Sequence, residues 1–314
     1  MSPLATRRAA LSFLAALIAA TLPTTLPAQT APDAAAGGAA RMFRGRSEDE
    51  WIELMATRPV VRVVSRHEST ALVYRVELEG GVEIGFKPSR PGQEQWWRSE
   101  IVSYRLARLL GIEGRVPPVV GRHIPFSAFG RLSARSNLIV ERDGTVAGSA
   151  SVWMPTLRGE QLHTGPARRE WVSWMNPETD IPPERRERAR QIAEVLVFDF
   201  LMGNYDRWNC CNIPIDERGD IVIRDNDAGW QPRILMTVGG PEAIRRLPRA
   251  LYEGIQRATP EALEAEVARD PRASIERMLP REVYPAYRHR RDVLLNHLRR
   301  ILQRYGEPRV FAWP

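Results

Sequence analysis

Of the 45 Lys and Arg side chains in this chain, all are arginine except Lys87. A compact ammonium on a flexible stem suits a point contact with phosphate, which a planar guanidinium serves differently. Glu100 follows thirteen positions later on an expected helix, from which it can reach back toward that ammonium. Further along come Asn204-Tyr205-Asp206-Arg207, then Asn212, then Asp225-Asn226-Asp227 with Gly229. Asp206 and Asp225 at the ends of facing elements, with Asn212 between them, offer oxygen ligands only, a set suited to Mg²⁺ or Mn²⁺. Phosphoryl transfer uses a lysine on phosphate, an acid holding it, hard metal ligands and a carboxylate near the attacking hydroxyl. Taken singly, Asp and Asn in loops make turns. The combination is what points to chemistry.

The elements that must hold these residues fall into two kinds. From Val60 the runs VVRVV, ALVYRVELEG and GVEIGFKP read as strands, with Gly80-Gly81 as a hairpin turn and Lys87 near the end of the third. Residues 92–111 read as a helix with Ile101, Tyr104, Leu106, Leu109 and Leu110 on its apolar side. The stretch SNLIVERDGTVAGSASVWMP reads as β-rich again. A long helix is expected from about 181 to Met202, closed by Gly203 before the NYDRWNCCN loop. A short strand, a turn at 217–219 and the strand IVIRD follow, and helices are expected near 241–256, 260–268 and 283–304. The fold class is α+β, a two-lobed kinase-like plan with a β-rich first lobe and a helical second lobe.

Composition narrows the alternatives. The net charge is +7 and the pI about 10.0, yet no basic stripe interleaves with aromatics, so nucleic acid is not the expected partner. Arg7-Arg8 precedes the apolar run Ala9 to Ala20, and a cleavage position follows Ala28. Residues 1–29 therefore read as a bacterial-looking signal peptide, twin-arginine in type, for a periplasmic or secreted protein. The run is short for a stable membrane span. Residues 30–45 read as a flexible linker, and 46–314 as the folded domain, with the lobes dividing near 150. The two cysteines, Cys210 and Cys211, are adjacent and supply neither a disulfide framework nor a zinc site. The five histidines show no ligand spacing, and Ser149 and Ser151 lack a nucleophile-elbow setting.

The segments GFKP (85–88), SEIVSYRLARLLGIEGRVPPVVGR (99–122), FDFLMGNYDR (198–207) and IRDNDAG (223–229) resemble the four-jointed-type secretory-pathway kinases. The resemblance spans roughly residues 60 to 230. It implies ATP and Mg²⁺ or Mn²⁺, and a protein (Ser/Thr) or glycan hydroxyl as acceptor. It makes Lys87 the ATP-phosphate lysine, Glu100 its partner, Asp206 the catalytic base, and Asp225 and Asn212 the metal ligands, with Asn209 in reserve. SASVWMP resembles the family's hinge, which lays the adenine against Val152, Trp153 and Met154. The chain departs from ordinary kinases in having no G-x-G-x-x-G loop, so the turn at 66–70 must cover the phosphates with Ser69 and Thr70. It departs from the family's animal members in its scarcity of cysteine. Two rival readings keep the fold: an inactive nucleotide-binding pseudokinase acting as an interaction module, and transfer of AMP instead of phosphate. Asp199, inside the long helix, is expected to brace the catalytic loop.

Overall fold

The computed structural model describes residues 42–208, 213–231 and 240–313. A short hairpin, β1 (Met42–Phe43) and β2 (Arg46–Ser47), leads into helix α1 (Glu48–Thr57). The Glu50 N–H donates to Ser47 Oγ at 3.2 Å, and the Ser47 N–H donates to Glu50 Oε2 at 2.8 Å. This reciprocal cap satisfies two N–H groups that a helix start leaves open.

Five antiparallel strands form the first layer: β3 (Val60–Glu68), β4 (Leu72–Leu78), β5 (Val82–Pro88), β6 (Val119–Pro125) and β7 (Thr145–Val152). Their order across the sheet is β3-β4-β5-β7-β6. In β4, Leu72, Tyr74, Val76 and Leu78 are buried and the residues between them half-buried, the period of a strand with one face on a core. Gly80 and Gly81, at φ of 84° and 74°, turn β4 into β5. Strand β5 runs between β4 and β7, with Lys87 opposite Ser149. A Cβ on Gly148 of β7 would lie 2.4 Å from the Lys87 carbonyl oxygen. Glycine there lets the two strands close up beside Lys87.

Helix α2 (Glu94–Leu110) connects β5 to β6 and is buried along most of its length, from Trp97 to Ala107. The helical part follows the sheet: α3 (Gly165–Trp174), α4 (Arg186–Met202), α5 (Arg249–Arg257), α6 (Pro260–Val267), α7 (Val283–Tyr305) and α8 (Glu307–Val310). A small ribbon pairs β8 (Arg158–Glu160) with β9 (Ile213–Ile215). One side of α2 meets β6 and β7, and the other meets α5 and α6. Arg105 and Arg108 of α2 reach Glu266 at 3.7 and 3.0 Å, tying it to α6. One apolar core lies under the sheet with α1; a larger one joins α2 to the helices.

Three expectations are corrected. IVIRD is not a strand: only Ile221 bridges to Ile215, and the run is apolar because Ile221, Val222 and Ile223 are buried. The helix expected at 241–256 begins at Arg249, because Pro248 suits a helix start and not its interior. SNLIVERDG lies outside β7. Helices α1 and α3 were not expected. Among the described residues no helix is long and apolar enough to cross a membrane.

His297 on α7 is buried, and its Nε2 lies 3.0 Å from the Ile244 carbonyl oxygen. Burial lowers its pKa below the ordinary value of 6.5 despite that bond. Its contribution to stability is then full above pH 6.5 and is lost as pH falls through the lowered value. Urea unfolding at stepped pH is expected to show this decline, and His297→Gln to flatten it.

Candidate active site

Lys87 and Glu100 are each 8 % exposed. The position of α2 against both layers brings Glu100 Oε1 to 2.6 Å from Lys87 Nζ. The same Nζ donates to Asp225 Oδ1 and to Asp227 Oδ2, each at 2.9 Å. Burial alone would lower the Lys87 pKa, but Glu100, Asp225 and Asp227 together hold it well above the ordinary value. Lys87 in turn holds the Asp225 carboxyl below its usual range. Burial pushes Asp227 up to about 6 against the pull of Lys87.

A chain of buried hydrogen bonds carries this arrangement into the helical part. Asn226 donates from its backbone N–H to Glu100 Oε1 (3.1 Å) and from Nδ2 to Glu100 Oε2 (3.2 Å). Arg207 donates to Asn226 Oδ1 and to the Arg224 carbonyl. Its Nε meets both carboxylate oxygens of Asp199 at 2.8 and 3.1 Å, and Trp208 Nε1 adds a second donor at 3.1 Å. Asp199 thus braces the loop, as its burial in α4 leads one to expect. Gly203, at φ 72°, ends α4 in the left-handed region that glycine adopts without strain. The Asp206 N–H then donates to Asn204 Oδ1 at 3.0 Å, making the turn that carries Asp206 out to an exposed position.

The site encloses a cavity of about 430 Å³, lined by Lys87, Glu100 and Asp225 at one end and by Val152, Trp153 and Met154 at the other. Val116, Val119 and Ile223 add apolar walls. Ser69 lines the cavity; Thr70, beside it in the exposed β3–β4 turn, does not. Asp206 faces an adjoining hollow of about 90 Å³, edged by Arg158 and Arg224. Arg224 and Asp225 line both spaces.

One oxygen from each of Glu100, Asp225 and Asp227 lies within 4.8 Å of the others. Three hard oxygen donors so placed fit a divalent cation of the Mg²⁺ or Mn²⁺ kind. Asp225 groups with Glu100 and Asp227 in this cluster and also lines the hollow that Asp206 faces. Asn209 and Asn212 lie outside the described residues. Asp227 was not singled out as a candidate, although its spacing of two from Asp225 was a signal.

No known protein-family profile matches the chain. The human glycosaminoglycan xylosylkinase is 24 % identical over 217 residues, 54 % of this chain and 53 % of that protein. The chain thus spans about half the length of the curated relative it matches. A Golgi casein kinase solved with Mn and ADP bound superposes with a TM-score of 0.58 at 18 % identity, covering 82 % of this chain and 77 % of that one. A hydra Fam20 solved with sugar gives a TM-score of 0.62 at 18 % identity, over 82 % and 90 %. The chain has the fold of the Fam20-type kinases. The resemblance drawn from GFKP, RVPPVVGR and GNYDR holds, as does the two-lobed α+β fold it implies.

In this Fam20-type fold Asp199 and Arg207 are each 1 % exposed at the side chain. Asp199→Ala would strand a buried guanidinium, so a loss of about 3–5 kcal/mol is expected in chemical denaturation.

Proposed function

We propose that the chain is an ATP-dependent phosphotransferase that moves the γ-phosphate of ATP to a hydroxyl of a protein or a sugar. The observation that carries this reading is the buried Lys87–Glu100 pair, 2.6 Å apart, in a cavity that shares Asp225 with the hollow of Asp206. In support, the human relative is named a xylosylkinase, and the Golgi casein kinase structure holds Mn and ADP.

In this reading the adenine lies against Val152, Trp153 and Met154, and Lys87, oriented by Glu100, donates to the phosphates. Ser69 borders the phosphate end. Asp206 accepts the proton of the acceptor hydroxyl as its oxygen attacks the γ-phosphorus; the bond to the β-phosphate oxygen breaks and ADP leaves. A divalent cation, Mg²⁺ or Mn²⁺, held by Asp225 and Glu100 supplies neutralisation of phosphate charge. The resemblance adds Asn212 as a further ligand. The kinase-like domain covers 46–314 with its lobes dividing near 150. The charged start and apolar run at 7–20 support export to the periplasm or beyond.

The test incubates residues 40–314 with ATP and Mn²⁺ or Mg²⁺ and a mixture of unphosphorylated proteins or free sugars, read by mass spectrometry. A gain of about 80 mass units, one phosphoryl group, is expected on one of these pools. Asp206→Ala should slow it about 10²–10⁴-fold, and Lys87→Arg should abolish detectable transfer. Nucleotide binding without transfer in the unmutated protein would replace this reading with the pseudokinase. A gain in the mass of AMP would replace it with nucleotide transfer.

A further inference from the structure

An ammonium has three N–H donors. In Lys87 all three are committed: to Glu100 at 2.6 Å, and to Asp225 and Asp227 at 2.9 Å each. A nucleotide phosphate can gain a donor from this lysine only if a carboxylate gives one up. Glu100 is anchored twice more by Asn226, so the yielding partner is Asp225 or Asp227. Those two, with Glu100, are also the oxygen cluster suited to a divalent cation. The local charge sharpens the point. Three carboxylates against one ammonium leave a formal excess of two negative charges where a polyphosphate must approach, and like charges in a partly buried site repel strongly.

We propose that Asp227 couples the two ligands: it holds the third donor of Lys87 until a divalent cation takes up its carboxylate, so that cation and nucleotide bind as one cooperative event. The mechanism proposed above names Asp225 and Glu100 for the cation; Asp227 completes the same oxygen cluster while also holding a donor of Lys87. Its side chain is only 16 % exposed, against 65 % for Asp225, so water screens its hold on Lys87 the less. Removing its charge would leave Lys87 two acidic partners and a third donor held at most by a neutral amide oxygen, which a phosphate displaces more readily. Nucleotide would then bind better without cation and gain less from it. This inference rests on the reading that the cavity takes a nucleotide.

The experiment titrates ADP, which carries no transferable γ-phosphate, into the full chain by calorimetry, once in EDTA and once in Mn²⁺. Coupling factors between ligands commonly run from about 5- to 150-fold. For the unmutated protein Mn²⁺ is expected to tighten ADP by at least about thirtyfold, and ADP to tighten Mn²⁺ by the same factor. Asp227→Asn should lower this factor about tenfold, chiefly by tightening ADP in EDTA. Asp227→Glu, which restores the charge, should return most of the coupling. Thermal melts of both variants establish that they are folded. Coupling in Asp227→Asn within twofold of the unmutated value, with ADP in EDTA no tighter, would overturn the inference and leave the nucleotide reading standing. Failure of ADP to bind the unmutated protein under either condition would overturn that reading and this inference with it.

Discussion

The structure hangs on a buried line of charge that runs from Lys87 through Glu100, Asn226 and Arg207 to Asp199. Desolvating ions is expensive, and a buried pair returns that cost only when its remaining donors and acceptors are also met. Here they are met in sequence. Each residue satisfies the next, and the line crosses from a strand to a helix, to a turn and to a second helix. The same condition fixes the backbone of the turn. Asp225 sits at φ 59°, a left-handed conformation that a non-glycine residue adopts at a cost, so the surrounding bonds must over-determine it.

The placement of α2 explains why such a line can form. An isolated lobe would let a helix-borne carboxylate drift. Here α2 is gripped by β6 and β7 on one side and by α5 and α6 on the other. Arg105 and Arg108 add ion pairs to Glu266, which is itself buried. Glu100 is therefore positioned by packing on both layers, and the geometry of the site follows from the assembly of the whole domain.

Much of this was legible in the sequence, for identifiable reasons. Strand β4 alternates cleanly, and Gly80-Gly81 marks its turn into the strand of Lys87, so the lysine's setting could be read from period and punctuation. Glu100 was found because its helix is bounded by glycine and proline. Helix α1 was missed although Ser47 and Glu50 spell a capping box. IVIRD misled because an apolar run reports burial and not a ladder. Asp227 escaped because an Asp-Asn-Asp turn looks like ordinary loop chemistry until the lysine it touches, 140 positions away in sequence, is in view.

The arginine-rich composition has a practical consequence at Lys87. Its ε-amine is the one lysine amine that the chain offers, and it is almost wholly enclosed by carboxylates. Reagents that acylate amines need the neutral, accessible form, and this amine is held charged and covered. The surface around it, crowded with guanidinium groups, is inert to them. Amine acylation at a side chain therefore becomes a reporter of one event alone, the opening of the cleft at Lys87, with no background from the rest of the fold.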